Sequence, residues 1–409
     1  MSSIRELLRA HRDFRRLFFA SLVSMAGDWF AFVALADLLT RLTGRAGAPA
    51  FVFAATVLPM FFAAPFAGAA ADRFDRKRLL VGADVIRVPL ALALCVAAWI
   101  GSAPLAIGAV IALGMAASFH DPITSAVVPN LVPPQQLARA QALMGAVWGS
   151  MLLVGAGLGG IVAELLGIQA AFAINAASFA LSAWLITGIR TPMQEASLEE
   201  RRARSSKGQF REVLRYVRTD RIVKRFVLAK VGVSCANGTV GLLPTFAAER
   251  FAGTNIATGL LFAARGLGAL IGPLIARWIA GPAPRARVIV LVCGASSMLY
   301  ISIYALIPLI WWFPLALGAV MVAHLGGGAQ WTMSTYGLQV MTPDALRGRV
   351  MSLDYGIATL AIGLSAVIAG VLADITGAAN ATWWLVGAGA VYGVCWLIWS
   401  LLGTRDSSP

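Results

Sequence analysis

The chain has 409 residues; 59% come from the set Ala, Val, Ile, Leu, Met, Phe, Trp, Tyr and Cys, and only 13% are charged. Soluble proteins carry about 25% charged residues, and a soluble core of this size could not hide so many apolar side chains, so a soluble enzyme is excluded. The net charge of +14 suits either nucleic acid or an anionic membrane surface, and the positions of the charges decide between them.

In chain order, the first segment, MSSIRELLRAHRDFRR, is too charged for the apolar core of a cleavable signal peptide. Ser3 and Glu6 have capping-box spacing, which predicts a short basic helix lying at the membrane surface. A bilayer-spanning helix needs roughly 20 apolar residues. Apolar runs and their punctuation predict six such helices over 17–40, 49–71, 79–100, 103–127, 138–163 and 168–189. Six more are predicted over 225–248, 256–279, 286–307, 310–338, 349–373 and 380–402. Between the two sets lies the one long polar stretch, 190–224; there Phe210, Val213, Leu214, Val217 and Ile222 form a stripe that predicts an amphipathic helix on the membrane. The reading is therefore an all-α membrane protein of twelve transmembrane helices in two six-helix pseudo-symmetric halves. The halves are 1–189 and 225–409, joined by a cytoplasmic linker over 190–224.

Lys and Arg orient the chain. With the N-terminus inside, the outer loops hold only Arg41, Arg45 and Arg250, and the spans hold Arg87, Lys230 and Arg265. Every other one of the 33 Lys and Arg residues is cytoplasmic, as the positive-inside rule requires. Both termini are expected in the cytoplasm, with the protein in the inner (cytoplasmic) membrane. The basic balance then reads as contact with anionic lipid headgroups, not nucleic acid.

The halves repeat. Pro65, in PFAGAAADRFDRKRLL, aligns with Pro273, in PLIARWIAGPAPRARV, about half a chain away. The series Ser125, Pro134, Leu137 aligns in the same way with Ser334, Pro343, Leu346. Parallel repeats of six helices are a signature of secondary transporters.

These residues resemble the major facilitator superfamily along essentially the whole chain. The most specific element is Gly68-Ala-Ala-Ala-Asp72-Arg73-Phe-Asp75-Arg76-Lys77-Arg78 between spans two and three. It is similar to the family's G-x-x-x-D-[RK]-x-G-[RK]-[RK] loop, with Asp75 where the pattern has Gly. Gly27-Asp28-Trp29, the run from Pro129 to Pro134 with Leu137, and the run from Pro343 to Ser352 resemble bacterial drug, macrolide and siderophore exporters. Span four lacks the Arg-rich motif of many proton-coupled antiporters. Span five has Gly155, Gly157, Gly159 and Gly160, similar to the antiporter glycine motif without its proline. The resemblance implies a cytoplasmic gate in which Gly68, Asp72, Arg73 and Arg76 meet Arg347 and Arg349. The basic residues of the loop serve equally well as headgroup anchors.

A charge at bilayer depth costs several kcal/mol unless it faces a cavity or a partner. Asp28, about 16 Å into span one at 1.5 Å per residue, is the first candidate for a proton or cation site; a fixed ion pair is its alternative. Arg265 in span eight lies near the same depth, and either counters Asp28 or binds an anionic substrate group. Arg87 and Asp121, both about 10 Å from the cytoplasmic boundary by helix rise, are expected to form a structural ion pair. Asp84 and Lys230 read as near-interface residues, with Lys230 snorkelling. Asp37, Glu164, Glu249 and Asp374 read as solvated near the outer boundary. His120 and His324 occupy equivalent spans and are either titratable or simply packed. With Trp29, Phe32, Phe119, Asn237 and Gln330 they suggest a mixed aromatic and polar cavity. Trp311, Trp312, Trp383 and Trp384 suit an interfacial belt.

No HExxH or G-x-x-x-x-G-K-[ST] occurs, and the three His and four scattered Cys (Cys95, Cys235, Cys293, Cys395) have no metal-ligand spacing. The protein is therefore expected to be no enzyme, to need no cofactor or metal, and to act as a monomer among membrane lipids. The leading function is secondary active efflux of an amphipathic small molecule, coupled to protons by alternating access. Lipid transport, small-molecule uptake, and a non-transporting receptor or scaffold are the rivals.

Overall fold

The structure, a computed structural model, describes residues 4–194, 209–251, 253–281 and 284–403. Among them there is no strand. After the short helix α1 (Ile4–Ala10) come α2 (Arg12–Thr43), α3 (Ala48–Arg73), α4 (Arg76–Ile100), α5 (Ala103–Leu131), α6 (Pro134–Leu165) and α7 (Ile168–Thr187). The polar segment supplies α8 (Gln209–Thr219). The next span is broken into α9 (Arg221–Leu228), α10 (Val231–Ala236), α11 (Gly238–Gly241) and α12 (Leu243–Arg250). Helices α13 (Asn255–Ala280), α14 (Ala286–Leu306), α15 (Phe313–Met341), α16 (Asp344–Thr376) and α17 (Ala378–Gly403) follow. Eleven of these helical stretches are long and apolar enough to cross a membrane, counting Arg221–Arg250 as one, and the apolar run Ala48–Ala63 of α3 supplies a shorter twelfth. The outward side chains fit that reading: Trp99, Trp184, Trp278, Leu165 and Ile375 are all exposed, an arrangement stable in hydrocarbon and costly in water.

Contacts divide the chain into two units. The first comprises Met1–Gly44, Ala55–Ser205 and Thr254–Ala263; the second comprises Arg45–Ala54, Ser206–Gly253 and Ala264–Pro409. The start of α3 thus belongs to the second unit, and the start of α13 to the first. Each of these helix N-termini is met by an acid of its own unit. Asp374 accepts from Gly47 N and Arg45 Nε, both at 2.8 Å. Glu164 accepts from Asn255 N at 2.8 Å, and Asp37 from Asn255 Nδ2 at 3.1 Å. Asp37, Glu164 and Asp374, expected in solvent, are therefore bonded helix-end partners; carboxylates suit the positive end of a helix.

The broken seventh span replaces the continuous helix expected over 225–248. Its interruptions keep helical dihedrals at Asn237 and Leu242 but tighten to three-residue hydrogen bonds, as in Asn237 N to Ser234 O and Val240 N to Asn237 O. Ser365 of α16 fits into the break: its hydroxyl donates to the Cys235 carbonyl and accepts from Gly238 N. A Cβ at position 238 would overlap the Ser365 carbonyl, so glycine is what lets the two backbones meet. In a bilayer such freed backbone groups must find partners within the protein.

Both predicted surface helices find protein partners. The stripe of α8 does not lie on lipid: Val213 and Val217 join Val223, Phe226, Met333, Val350 and Trp396 in a buried cluster of the second unit. Arg349 of α16 pairs with Glu212 of α8 at 3.0 Å. Likewise α1 packs Leu7 among Phe14, Leu17, Ile123 and Val127 in the first unit. Ser3, the proposed cap of α1, lies outside the described residues.

Candidate functional site

The first unit buries a cluster of ionisable groups built from four helices that pack on one another, α2, α4, α5 and α7. Each helix presents two of its members three or four residues apart, the spacing that places side chains on one face: Ser24 and Asp28, Asp84 and Arg87, His120 and Thr124, Phe179 and Ser182. Arg87 is the hub. It donates to Asp28 Oδ2 at 2.6 Å, to Ser24 Oγ at 3.1 Å and to Asp84 Oδ1 at 3.3 Å. Its guanidinium lies 3.9 Å from the centre of the Phe179 ring. Ser182 donates to the other oxygen of Asp84 at 2.5 Å, and His120 Nε2 lies 3.9 Å from that same oxygen. His120 Nδ1 is 3.5 Å from the Thr124 hydroxyl.

The two carboxylates are unequal. The Asp84 side chain is 0% exposed, whereas that of Asp28 is 42% exposed. Gly27, next to Asp28, permits the close approach of α7: a Cβ there would stand 2.6 Å from Asn175 Oδ1. Among the described side chains the cluster holds one guanidinium against two carboxylates, an excess of one negative charge. One proton on Asp28 balances it.

Sequence reasoning found Asp28, Arg87 and His120 separately and missed their junction. Asp84, read as an interfacial residue, is fully buried and bonded to Arg87. The side chain of Asp121, the expected partner of Arg87, lies outside what is described, as do the side chains of Asp72 and Arg73 and the surroundings of Gly68. Arg76 caps carbonyls within its own unit, donating to Ala126 O at 2.9 Å and Met193 O at 3.3 Å, while Lys77 donates to Ile189 O at 2.8 Å. Asp75, the departure from the family loop, caps α4 by accepting from Arg78 N at 2.8 Å. Trp29 and Phe32 meet Phe262 in an aromatic group, with ring centres 5.0–5.9 Å apart.

The second unit buries two further polar groups. Arg265 lies over the Phe53 ring at 5.8 Å, close to Tyr300, Tyr304 and His324. His324 Nε2 is 2.9 Å from the Tyr304 hydroxyl and stands edge-on to both tyrosines. Gln330, 0% exposed, donates to the Ala229 carbonyl at 2.9 Å. Its Oε1, like Asn237 Oδ1, has no hydrogen-bond partner among the described residues. Lys230 does not snorkel. It is buried, its ammonium is bonded to Asp354 of α16, and it lies 5.0 Å from the centre of the Trp331 ring. Asp354, which sequence reasoning did not single out, sits within α16, beyond Arg347 and Arg349. Arg347 donates to Thr342 O at 3.3 Å, at the start of its own helix.

Comparison with known proteins decides the lineage: the family model described as Major Facilitator Superfamily matches residues 17–353. The chain belongs to the major facilitator superfamily. It is a multi-pass membrane protein of a transporter family. The uncharacterized MFS-type transporter YkuC of Bacillus subtilis is 27% identical over 243 residues, covering 58% of this chain and 56% of that protein, so this alignment spans just over half the relative's length. The multidrug efflux pump Tap of Mycobacterium tuberculosis is 25% identical over 375 residues, covering 88% of this chain and 87% of the pump. Among solved structures, a POT family transporter in complex with a thioalcohol-conjugated peptide shares the fold with a TM-score of 0.75. It is 13% identical, with 97% of each chain covered.

Proposed function

We propose that this transporter is a secondary active exporter of amphipathic small molecules, driven by the proton gradient through alternating access. The observation that carries the reading is the charge balance around Arg87. A buried cluster with one carboxylate too many, whose Asp28 is half exposed, is a place where a single proton can be taken up and given back. Proton entry at Asp28 weakens its bond to Arg87 and frees the guanidinium to strengthen its hold on Asp84, which ties proton occupancy to the side-chain link between α2 and α4. The similarity to a multidrug efflux pump supports drug export, and the aromatic group of Trp29, Phe32 and Phe262 suits an amphipathic substrate. Asp72 and Arg73 with Arg76, Arg347 and Arg349 form the cytoplasmic gate in this reading. The protein acts as a monomer in the inner membrane, with both termini inside.

The test uses proteoliposomes with an imposed pH gradient and ethidium, tetraphenylphosphonium and erythromycin as probes. Wild-type protein is expected to move at least one probe against its gradient, and Asp28→Asn to lose gradient-driven movement while keeping passive exchange. An Asp28→Asn protein with an unchanged proton response would overturn the assignment of Asp28. A wild-type protein indifferent to the gradient for every probe would overturn proton-driven export.

A further inference from the structure

The pair in the second unit raises a separate question, because a buried ion pair that serves only structure is expected to saturate its hydrogen bonds. This one does not. Lys230 is donated from the junction between α9 and α10 to a single oxygen of Asp354, and Asp354 Oδ1 has no hydrogen-bond partner among the described residues. The neighbouring Gln330, which holds the Ala229 carbonyl beside Lys230, has an equally idle Oε1. An unfilled carboxylate oxygen on the partner of a buried ammonium, with a second unfilled acceptor on the helix that holds the adjoining Ala229 carbonyl, is an arrangement prepared for a change of state.

We propose that Asp354 is a second proton-binding site, with Lys230 as its counter-charge, and that the bond between them is a latch joining the seventh span to α16. With both partners ionised, the pair has zero net charge. A proton added to Asp354 gives a neutral acid whose hydroxyl can donate to a nearby acceptor, and leaves the ammonium of Lys230 facing only the Trp331 ring. A lone ammonium in low dielectric is costly, and one aromatic face repays a small part of that. Proton uptake is therefore favourable only together with water or an anionic group reaching Lys230, which requires α16 and the seventh span to part. Proton binding and helix separation become one event.

The groups facing the pair leave this balance intact. From α14 comes the Cys293 thiol. Helix α15 offers Gln330 and Trp331, neither of which titrates. Helix α16 adds Tyr355, whose ring packs edge-on against Trp331 at 6.3 Å. Helix α17 brings Tyr392, whose hydroxyl is engaged by the Leu228 carbonyl at 3.0 Å. On the seventh span itself stand Cys235 and Arg225, the latter over the Trp399 ring at 5.3 Å.

The proposal rests on proton-driven transport only for its use in the cell, and the experiment separates the two. Full-length protein in phosphatidylethanolamine–phosphatidylglycerol liposomes is titrated from about pH 8 to about pH 5, and the infrared difference spectrum is read for the C=O stretch of a protonated carboxylic acid. The wild type is expected to show such a band. Asp354→Asn should lose one component of it, and Asp28→Asn should keep that component. Because Asp354→Asn leaves a buried lysine unpaired, the Lys230→Met/Asp354→Leu protein, in which neither position of the pair is charged, serves as the folding-safe variant and should lose the same component. Tryptophan fluorescence should follow the same titration in the wild type and not in Trp331→Phe. A wild-type band that survives both changes at Asp354, or no band at all, overturns the proposal. If the band behaves as expected but no probe responds to a pH gradient, the proton site stands and the exporter reading falls. Gradient-driven export without the Asp354 component has the opposite meaning.

Discussion

Replacing Arg87 with Leu tests whether the cluster in the first unit is an electrostatic unit or merely a packed one. Arg87 is the counter-charge of two acids with very different access to water. Asp28, 42% exposed, can be rehydrated when Arg87 is lost, so its share of the cost is small. Asp84 cannot: it is fully buried, and Ser182 is its remaining short donor. Breaking a buried pair from one side costs about 3–5 kcal/mol because a bare charge is left behind, so Arg87→Leu should lose roughly that much, nearly all of it through Asp84. Removing both charges should restore much of the loss, since a buried ion pair and an apolar pair of similar volume are often close in stability. The measurement is unfolding of the purified protein in mixed micelles for wild type, Arg87→Leu, Asp84→Leu and the double variant, analysed as a cycle. A strongly favourable coupling between positions 84 and 87 is expected. Losses that simply add would refute the reasoning and leave Arg87 as a packing residue over Phe179.

Three further outcomes follow from the same geometry. Ser182→Ala removes the 2.5 Å bond to Asp84 and should cost about 1.5–3 kcal/mol, the range for a bond to a charged group, in the same micellar assay. Gly238→Ala would push a methyl group into the Ser365 carbonyl; overpacking of about 1–3 kcal/mol should lower the unfolding temperature, and pairing it with Ser365→Gly should not restore it because the clash is with backbone. Glu212→Gln breaks only an exposed pair with Arg349, so it should change stability by less than about 1 kcal/mol; a larger loss would mean that α8 depends on that contact more than on Val213 and Val217.

Helix positions were legible in the sequence because a hydrocarbon slab imposes one length and one composition on every span. The same simplicity hides the partners. Asp28, Arg87 and His120 each stand out as a charge or imidazole in an apolar run, but their neighbours depend on which helices pack together, and no period in one chain encodes that α4 lies between α5 and α7. Depth reasoning went astray at the ends: α4 begins at Arg76 instead of 79, and Asp84, counted as interfacial from the later start, is buried among α4's neighbours. The stripe of α8 was read correctly as amphipathic and assigned the wrong solvent, since an apolar face of that size fits lipid or a protein groove alike. The break in the seventh span had a visible signal in Asn237-Gly238, Gly241 and Pro244, but glycine is common in membrane helices. Only Ser365, far away in sequence, turns those residues into a junction.

The two buried groups of charge differ in a way that bears on how one proton could do work in each. Around Arg87 the acids outnumber the base, so the deprotonated state is the charged one, and a proton brings the first unit toward neutrality. At Lys230 and Asp354 acid and base are matched, so the deprotonated state is neutral, and a proton brings in charge. Burial favours neutrality in both. At the first group, water favours the ionised carboxylate and closure the protonated one. At the second, burial penalises both the lone ammonium that a protonated Asp354 would leave and the carboxylate itself, so the outcome turns on which partner water reaches: water at Lys230 alone lets the proton stay on Asp354, whereas water at Asp354 favours the ionised pair. Drying the protein at fixed pH should therefore strengthen the carboxylic C=O band that belongs to Asp28. A band of Asp28 that weakens on drying would mean that the first unit does not respond to water through charge balance.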